Sequence, residues 1–155
     1  MKIYEPKRAL YRKNKPTTGC CQFCDKKTIN EQQCLSLESK HWMVVVNKYP
    51  YMDGNVMIIP KRHVRNVADL LKDEWFEFQD ILEKTMKKLS QIFKTEDFNI
   101  GANIGIDAGG SIEHLHWQII PRRKKISNSV NIFADIEVIT ILPEDLRKII
   151  DKNKL

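Results

Sequence analysis

The sequence predicts an α+β domain: an antiparallel sheet of about five strands, one long helix laid on it and a short C-terminal helix. Three observations carry this. Short β-branched runs are cut by Pro, Asp and Gly; a single stretch between Asp69 and Phe93 switches to helical periodicity; and the stretch from His114 to Pro121 alternates polar and apolar residues strictly.

Taken in chain order, residues 1–19 are basic and hold Pro6, Pro16 and Gly19, so they read as an extended arm leading to a cysteine cluster. Cys34-Leu35-Ser36-Leu37 alternates in polarity and predicts a strand. Trp42-Met43-Val44-Val45-Val46 is an apolar run typical of a strand covered on both faces. A turn follows at Tyr49-Pro50-Tyr51-Met52-Asp53-Gly54, where Asp-Gly punctuates the chain. Val56-Met57-Ile58-Ile59 is a third strand stopped by Pro60, and it should pair antiparallel with the second around that turn. From Asp69 to about Phe93, Leu71, Trp75, Phe78, Leu82, Met86, Leu89 and Phe93 recur every three or four residues. That spacing puts them on one helix stripe, and they are read as core.

Phe98 to Ile104 alternates again and predicts a fourth strand; a loop of small residues, Gly105 to Ser111, leads to the fifth, His114 to Pro121. Ile132 to Leu142 suggests a further strand. Pro143-Glu144-Asp145 then opens the C-terminal helix, since proline and acids suit a helix first turn.

With 155 residues and neither a repeat, a low-complexity tract nor a Gly/Ser linker, 1–155 is expected to form a single domain, with 124–155 as a C-terminal extension. Hydrophobic residues at 42% and charged residues at 30% fit a soluble globular chain rather than a disordered one. No apolar run approaches the roughly 18 residues of a membrane span. The start, Met1-Lys2-Ile3-Tyr4-Glu5-Pro6, lacks the apolar stretch of a secretory signal, so a cytoplasmic address is expected. A formal charge of +6 favours anionic partners. Its densest run, Arg122-Arg123-Lys124-Lys125, reads either as a solvated turn or as a phosphate-steering patch.

Residues two apart on a strand share a face, so His114, His116 and Gln118 should point the same way. Half of the four histidines in the chain therefore line one surface beside a glycine-rich loop, which favours a functional face over an ordinary polar one. Gly109, Gly110 and Ser111 would let backbone N–H groups approach phosphate oxygens closely. Cys21-Gln22-Phe23-Cys24 could offer two thiolates, and His63 and His114 could complete a tetrahedral zinc site. Cys20 is a competing thiol, Cys34 stands apart, and free thiols remain an equal reading of the cluster at this point.

Two stretches resemble the histidine-triad superfamily. The segment from Gly109 to Arg122, with His114-Leu115-His116-Trp117-Gln118 at its centre, looks like the signature strand His-φ-His-φ-His-φ-φ, where φ is apolar. Asn47-Lys48-Tyr49-Pro50-Tyr51 through Pro60-Lys61-Arg62-His63 is similar to the superfamily's diadenosine-polyphosphate phosphorylase members, and Pro6-Lys7-Arg8-Ala9-Leu10-Tyr11 is weakly so. The match runs from about residue 4 to residue 123. Gln118 stands where the third histidine would be, as in the nucleotidyl-transferring branches, and Asn55 stands where relatives usually carry histidine.

The resemblance implies a histidine-triad-like fold, a homodimer, and a structural zinc ion on Cys21, Cys24, His63 and His114. It further implies that His116 attacks the α-phosphorus of a nucleoside polyphosphate to form a covalent nucleotidyl-histidine. Gln118 would then bind a non-bridging oxygen, with Gly110 and Ser111 helping to hold the charge. Asn47 would lie near the ribose and Asn103 near the phosphates; as turn or strand-edge residues they have a plainer reading. Inorganic phosphate is the implied acceptor, with a histidine-triad hydrolase as the runner-up. A nucleotide-binding module without catalysis and a zinc-dependent nucleic-acid binder rank lower, and neither membrane nor nucleic-acid partners are expected.

Overall fold

The computed structural model describes residues 21–50, 52–123 and 141–152. Five strands form one sheet in the order β1-β2-β3-β5-β4, every neighbouring pair antiparallel. The strands are β1 (Gln33–Glu38), β2 (Trp42–Val46), β3 (Val56–Pro60), β4 (Phe98–Gly101) and β5 (Trp117–Pro121). Three helices accompany them: α1 (Lys26–Gln32), α2 (Lys72–Phe93) and α3 (Pro143–Lys152). The expected α+β architecture is present, with α2 as its long helix and α3 as its C-terminal one. Among the described residues no helix is long and apolar enough to cross a membrane.

β2 and β3 carry the core because their β-branched side chains are buried on both faces. Val44, Val46, Val56, Ile58 and Ile119 point to one side and meet Phe78, Ile81, Leu89 and Phe93 of α2 and Leu146 and Ile150 of α3. Met43, Val45, Met57 and Ile59 point to the other, under Phe23, Ile29 and the flank of Cys21. Gln118, opposite Met57, lies on this second face with the other candidate site residues. The β2–β3 turn depends on Gly54, whose φ of +83° favours glycine; a Cβ there would lie 2.5 Å from Pro121 Cγ and 2.7 Å from Phe93.

The helix stripe needs one adjustment. Phe78, Leu89 and Phe93 are buried as expected, and Leu82 and Met86 pack at the edge of the core, but Leu71 and Trp75 are exposed. The buried face is instead completed by Ile81, Thr85 and Lys88. Residues 67–69 form a separate 3₁₀ turn, so α2 begins at Lys72 rather than at Asp69. Glu74 fixes that start: its carboxylate accepts from the Leu71 N–H and from the Arg62 guanidinium.

Two strands are shorter than expected. β4 ends at Gly101 instead of Ile104, and β5 starts at Trp117 instead of His114. The β3–β5 pairing stops short of the end of β3: Ile58 is the last residue of β3 paired with β5, opposite Trp117. Just upstream of it the Leu115 N–H donates to the Val64 C=O at 2.6 Å, and the histidines are held through their side chains. α1 was not anticipated; Asp25 caps it by accepting from the Thr28 N–H at 3.0 Å. The N-terminal arm, Cys20 and most of the further strand expected between Ile132 and Leu142 lie outside the described residues.

Candidate active site

The end of β3 and the segment entering β5 bring the histidines together. His114 Nε2 lies 2.9 Å from the Pro60 carbonyl, which can only accept, so this nitrogen carries the proton. Nδ1 is then left with its lone pair, and it faces Cys21 Sγ at 3.4 Å and Cys24 Sγ at 3.6 Å. His63, just past β3, turns its own Nδ1 to Cys24 Sγ at 3.4 Å. One ligand atom from each of Cys21, Cys24, His63 and His114 lies within 4.8 Å of all the others.

These separations suit a metal ion. A tetrahedral zinc with bonds of about 2.3 Å to sulfur and 2.0–2.1 Å to nitrogen sets neighbouring S and N atoms about 3.6 Å apart. The Pro60 carbonyl is the outer partner that fixes the tautomer and ring of such a ligand. Burial, helped by the proximity of His63 and His116, pulls the His114 imidazole from its usual 6.5 down to about 4 against the opposing Pro60 hydrogen bond. The ring is therefore neutral and able to ligate at physiological pH. Cys34 takes no part. It is sealed in the helix-side core, and burial pushes its thiol up to about 12, so it stays protonated.

His116 has the opposite arrangement of nitrogens. Its Nδ1 donates to the His114 carbonyl at 2.8 Å, which leaves Nε2 with the lone pair of a nucleophile. Burial holds its pKa below the usual imidazole value, so the neutral ring prevails at pH 7. Phe23 stands edge-on to both rings, its centroid 5.8 Å from that of His114 and 5.4 Å from that of His116.

Gln118 sits in β5 opposite Met57 of β3 and Gly101 of β4. Its Oε1 accepts from Asn55 Nδ2 at 2.8 Å. Asn55 in turn accepts from Asn47 Nδ2 at 2.8 Å, and Asn47 Oδ1 accepts from the Tyr49 N–H at 2.9 Å. The Asn47 side chain thus makes two bonds inside the protein and keeps two further hydrogen-bonding positions of its carboxamide. Asn103 lies two residues past the end of β4, whose last pair joins Gly101 to Gln118.

The glycine loop closes onto Asn103. Gly110 N–H donates to the Gly105 carbonyl at 2.9 Å, and a Cβ on Gly110 would lie 2.7 Å from the Asn103 carbonyl oxygen. No side chain fits there. Ser111 follows at the exposed end of the loop. The structure therefore brings the four sulfur and nitrogen ligands together, and it joins Gln118 to Asn47. Phe23 and Asn55 were not singled out for a role by sequence. Phe23 lies inside the Cys-x-x-Cys motif, which offered a signal for it; Asn55 offered only its departure from the family pattern.

A family model described as HIT domain matches residues 29–125. An AP-4-A phosphorylase of Mycobacterium tuberculosis is 32% identical over 122 residues, covering 78% of this chain and 63% of the relative. An asymmetrical bis(5'-nucleosyl)-tetraphosphatase of Schizosaccharomyces pombe is 32% identical over 93 residues, 59% of this chain and 51% of the relative. The chain thus spans less than two thirds of the length of these curated relatives. Among solved structures, a hypothetical histidine triad nucleotide-binding protein of Sulfolobus tokodaii superposes with a TM-score of 0.67 at 26% identity, covering 85% of this chain and 90% of the other. A zinc-bound histidine triad family protein of Mycobacterium smegmatis shares the fold, with a TM-score of 0.65 at 17% identity over 84% of this chain and 90% of the other.

Proposed function

Because the chain belongs to the HIT domain family, whose model matches most of its length, we propose that it transfers a nucleotidyl group from a dinucleoside polyphosphate such as diadenosine tetraphosphate to inorganic phosphate, through a covalent nucleotidyl-histidine. The observation that carries this reading is the fixed tautomer of His116, with Nδ1–H on the His114 carbonyl and Nε2 unprotonated. In the first step Nε2 forms a bond to the α-phosphorus, and the bond from that phosphorus to the bridging oxygen breaks, so the electron pair leaves with the nucleoside polyphosphate. In the second, a phosphate oxygen attacks the same phosphorus, the P–N bond breaks, and a nucleoside diphosphate leaves.

Gln118 donates through Nε2–H to a non-bridging oxygen, and Ser111, at the end of the loop closed at Gly110, helps to stabilise the developing charge. Asn47 meets the ribose and Asn103 the phosphates. Zinc on Cys21, Cys24, His63 and His114 would supply a closed structural tie between the Cys-x-x-Cys loop and the catalytic segment. Its thiolates suit a reducing, cytoplasmic setting. The outer strand β4 exposes Ile100, and Ile104 follows it, which favours a homodimer that extends the sheet.

Hydrolysis, with water as the acceptor, is the second reading, favoured by the tetraphosphatase name of a relative at the same level of identity. The test incubates the protein with diadenosine tetraphosphate, with and without phosphate. Phosphate-dependent ADP supports the transfer reading. AMP and ATP formed equally well without phosphate would move the protein to hydrolysis, and no turnover would refute this substrate.

A further inference from the structure

Three carboxamides run end to end into the site. The Tyr49 N–H can only donate, so the group Asn47 turns to it at 2.9 Å is Oδ1. Asn47 Nδ2 is then the end that faces Asn55, and Asn55 must answer with Oδ1 at 2.8 Å. That leaves Asn55 Nδ2, which lies 3.2 Å from the Val56 carbonyl and 2.8 Å from Gln118 Oε1. A carbonyl can only accept. Two backbone anchors, one a pure donor and one a pure acceptor, therefore give the same polarity for the whole chain. The hydrogen-bond partners alone thus set all three amide orientations.

We infer that Asn55 is a positioning residue that locks Gln118 with its Nε2–H₂ group directed away from Asn55 and toward the substrate phosphate. This rests on the role proposed above for Gln118. A glutamine not held in this way could present either end of its carboxamide. With Oε1 forward it would repel an anionic phosphate oxygen; with Nε2 forward it stabilises one. Asn55 is 1% exposed and Gln118 6%, so water does not compete for the link, and reversing Gln118 would set N–H against N–H in a buried place. None of the three carboxamides titrates near neutral pH, so the polarity is the same throughout the working range. The relay also connects Gln118 to the turn at Tyr49, beside the residue proposed to meet the ribose.

The test replaces Asn55 by its isostere. In Asn55→Asp the side chain offers two acceptors and no donor, so Gln118 turns its N–H₂ toward position 55 and shows oxygen to the phosphate. We expect kcat for diadenosine tetraphosphate to fall about 10²-fold, with KM changing less than about threefold because the lost contact belongs to the transition state. In a Gln118→Ala background the same substitution should change kcat by less than about threefold, since the two act as one unit. A kcat within about threefold of the parent, or an equal loss in both backgrounds, overturns the proposal. A second measurement needs neither the variant nor turnover. Through-hydrogen-bond NMR couplings in the unaltered protein should link Asn55 Nδ2 to the Gln118 side-chain carbonyl carbon. A coupling in the reverse sense, from Gln118 Nε2 to the Asn55 carbonyl carbon, refutes the relay. Absence of turnover refutes the proposed reaction and leaves the relay to be decided by these couplings.

Discussion

Phe23 sets its ring edge-on against His116, with centroids 5.4 Å apart at an interplanar angle of 71°. The residue lies between the two cysteines of the candidate metal cluster and is 4% exposed, so whatever holds Cys21 and Cys24 also holds the ring set against His116. Phe23→Ala removes that ring and empties part of the core under the Cys-x-x-Cys loop. The expected cost is about 3 kcal/mol of stability, read by thermal unfolding, with about a tenfold loss of kcat/KM measured well below the melting temperature. A stable Phe23→Ala protein with unchanged kinetics would show that His116 is oriented by its bond to the His114 carbonyl alone.

The geometry of the ligand cluster makes a compositional prediction. Purified protein should carry close to one zinc per chain by elemental analysis, and Cys24→Ser, which replaces a thiolate within 3.4 Å of His63 Nδ1 and 3.6 Å of His114 Nδ1, should lose it. Removal of the metal by chelation should lower the melting temperature and reduce turnover together, because Phe23 is released along with Cys21 and Cys24. Metal content unaffected by Cys24→Ser would refute the four-ligand site.

Much of this arrangement was legible in sequence where local chemistry dictates it. The β-branched runs of β2 and β3, the Asp-Gly turn between them and the period of α2 each follow from neighbours a few residues apart. The ligand set needed the family pattern, since Cys24 and His63 are 39 residues apart. What escaped was set at longer range. Alternation around His114 reads as strand, yet the β3–β5 pairing stops at Ile58 and Trp117, and beyond it the Pro60 carbonyl is taken by the imidazole of His114. Asn55 gains its meaning only from Gln118, 63 residues on. Leu71 and Trp75 follow the helical period but lie at the end of α2 where the core no longer covers them.

The Arg62–Glu74 pair ties the loop that carries His63 to the start of α2, and it yields a pH prediction. The Arg62 hydrogen bonds, helped by the Leu71 N–H, draw the Glu74 carboxyl from its usual 4.5 down to about 2 despite its burial. A carboxylate whose pKa is lower in the folded state stabilises the fold fully above its ordinary value, and loses that contribution as pH falls through the folded one. Glu74→Gln should therefore be about 2 kcal/mol less stable than the parent at pH 7. That difference should shrink between about 4.5 and about 2. Denaturant unfolding at a series of pH values checks it; a difference that stays constant with pH would mean that Glu74 acts through packing and its contact with the Leu71 N–H, not through its charge.

Gln118 should decide which acceptor completes the reaction. A carboxamide can hold a phosphate oxygen but cannot move a proton near neutral pH, so with Gln118 in place the nucleotidyl-histidine waits for an acceptor that arrives already ionised, such as inorganic phosphate. An imidazole in its place can take a proton from water. It can also still present a nitrogen acceptor to Asn55 Nδ2, now 2.8 Å from Gln118 Oε1, so the relay need not be broken by the change. In Gln118→His the ratio of phosphorolysis to hydrolysis should therefore fall, by about tenfold or more if general-base assistance contributes at the low end of its usual range. The ratio is read by separating ADP from AMP after incubation with diadenosine tetraphosphate and phosphate. Unaltered partitioning in Gln118→His would remove the side chain at this position from the choice of acceptor and transfer that role to the loop at Gly110 and Ser111, where the phosphate would have to enter.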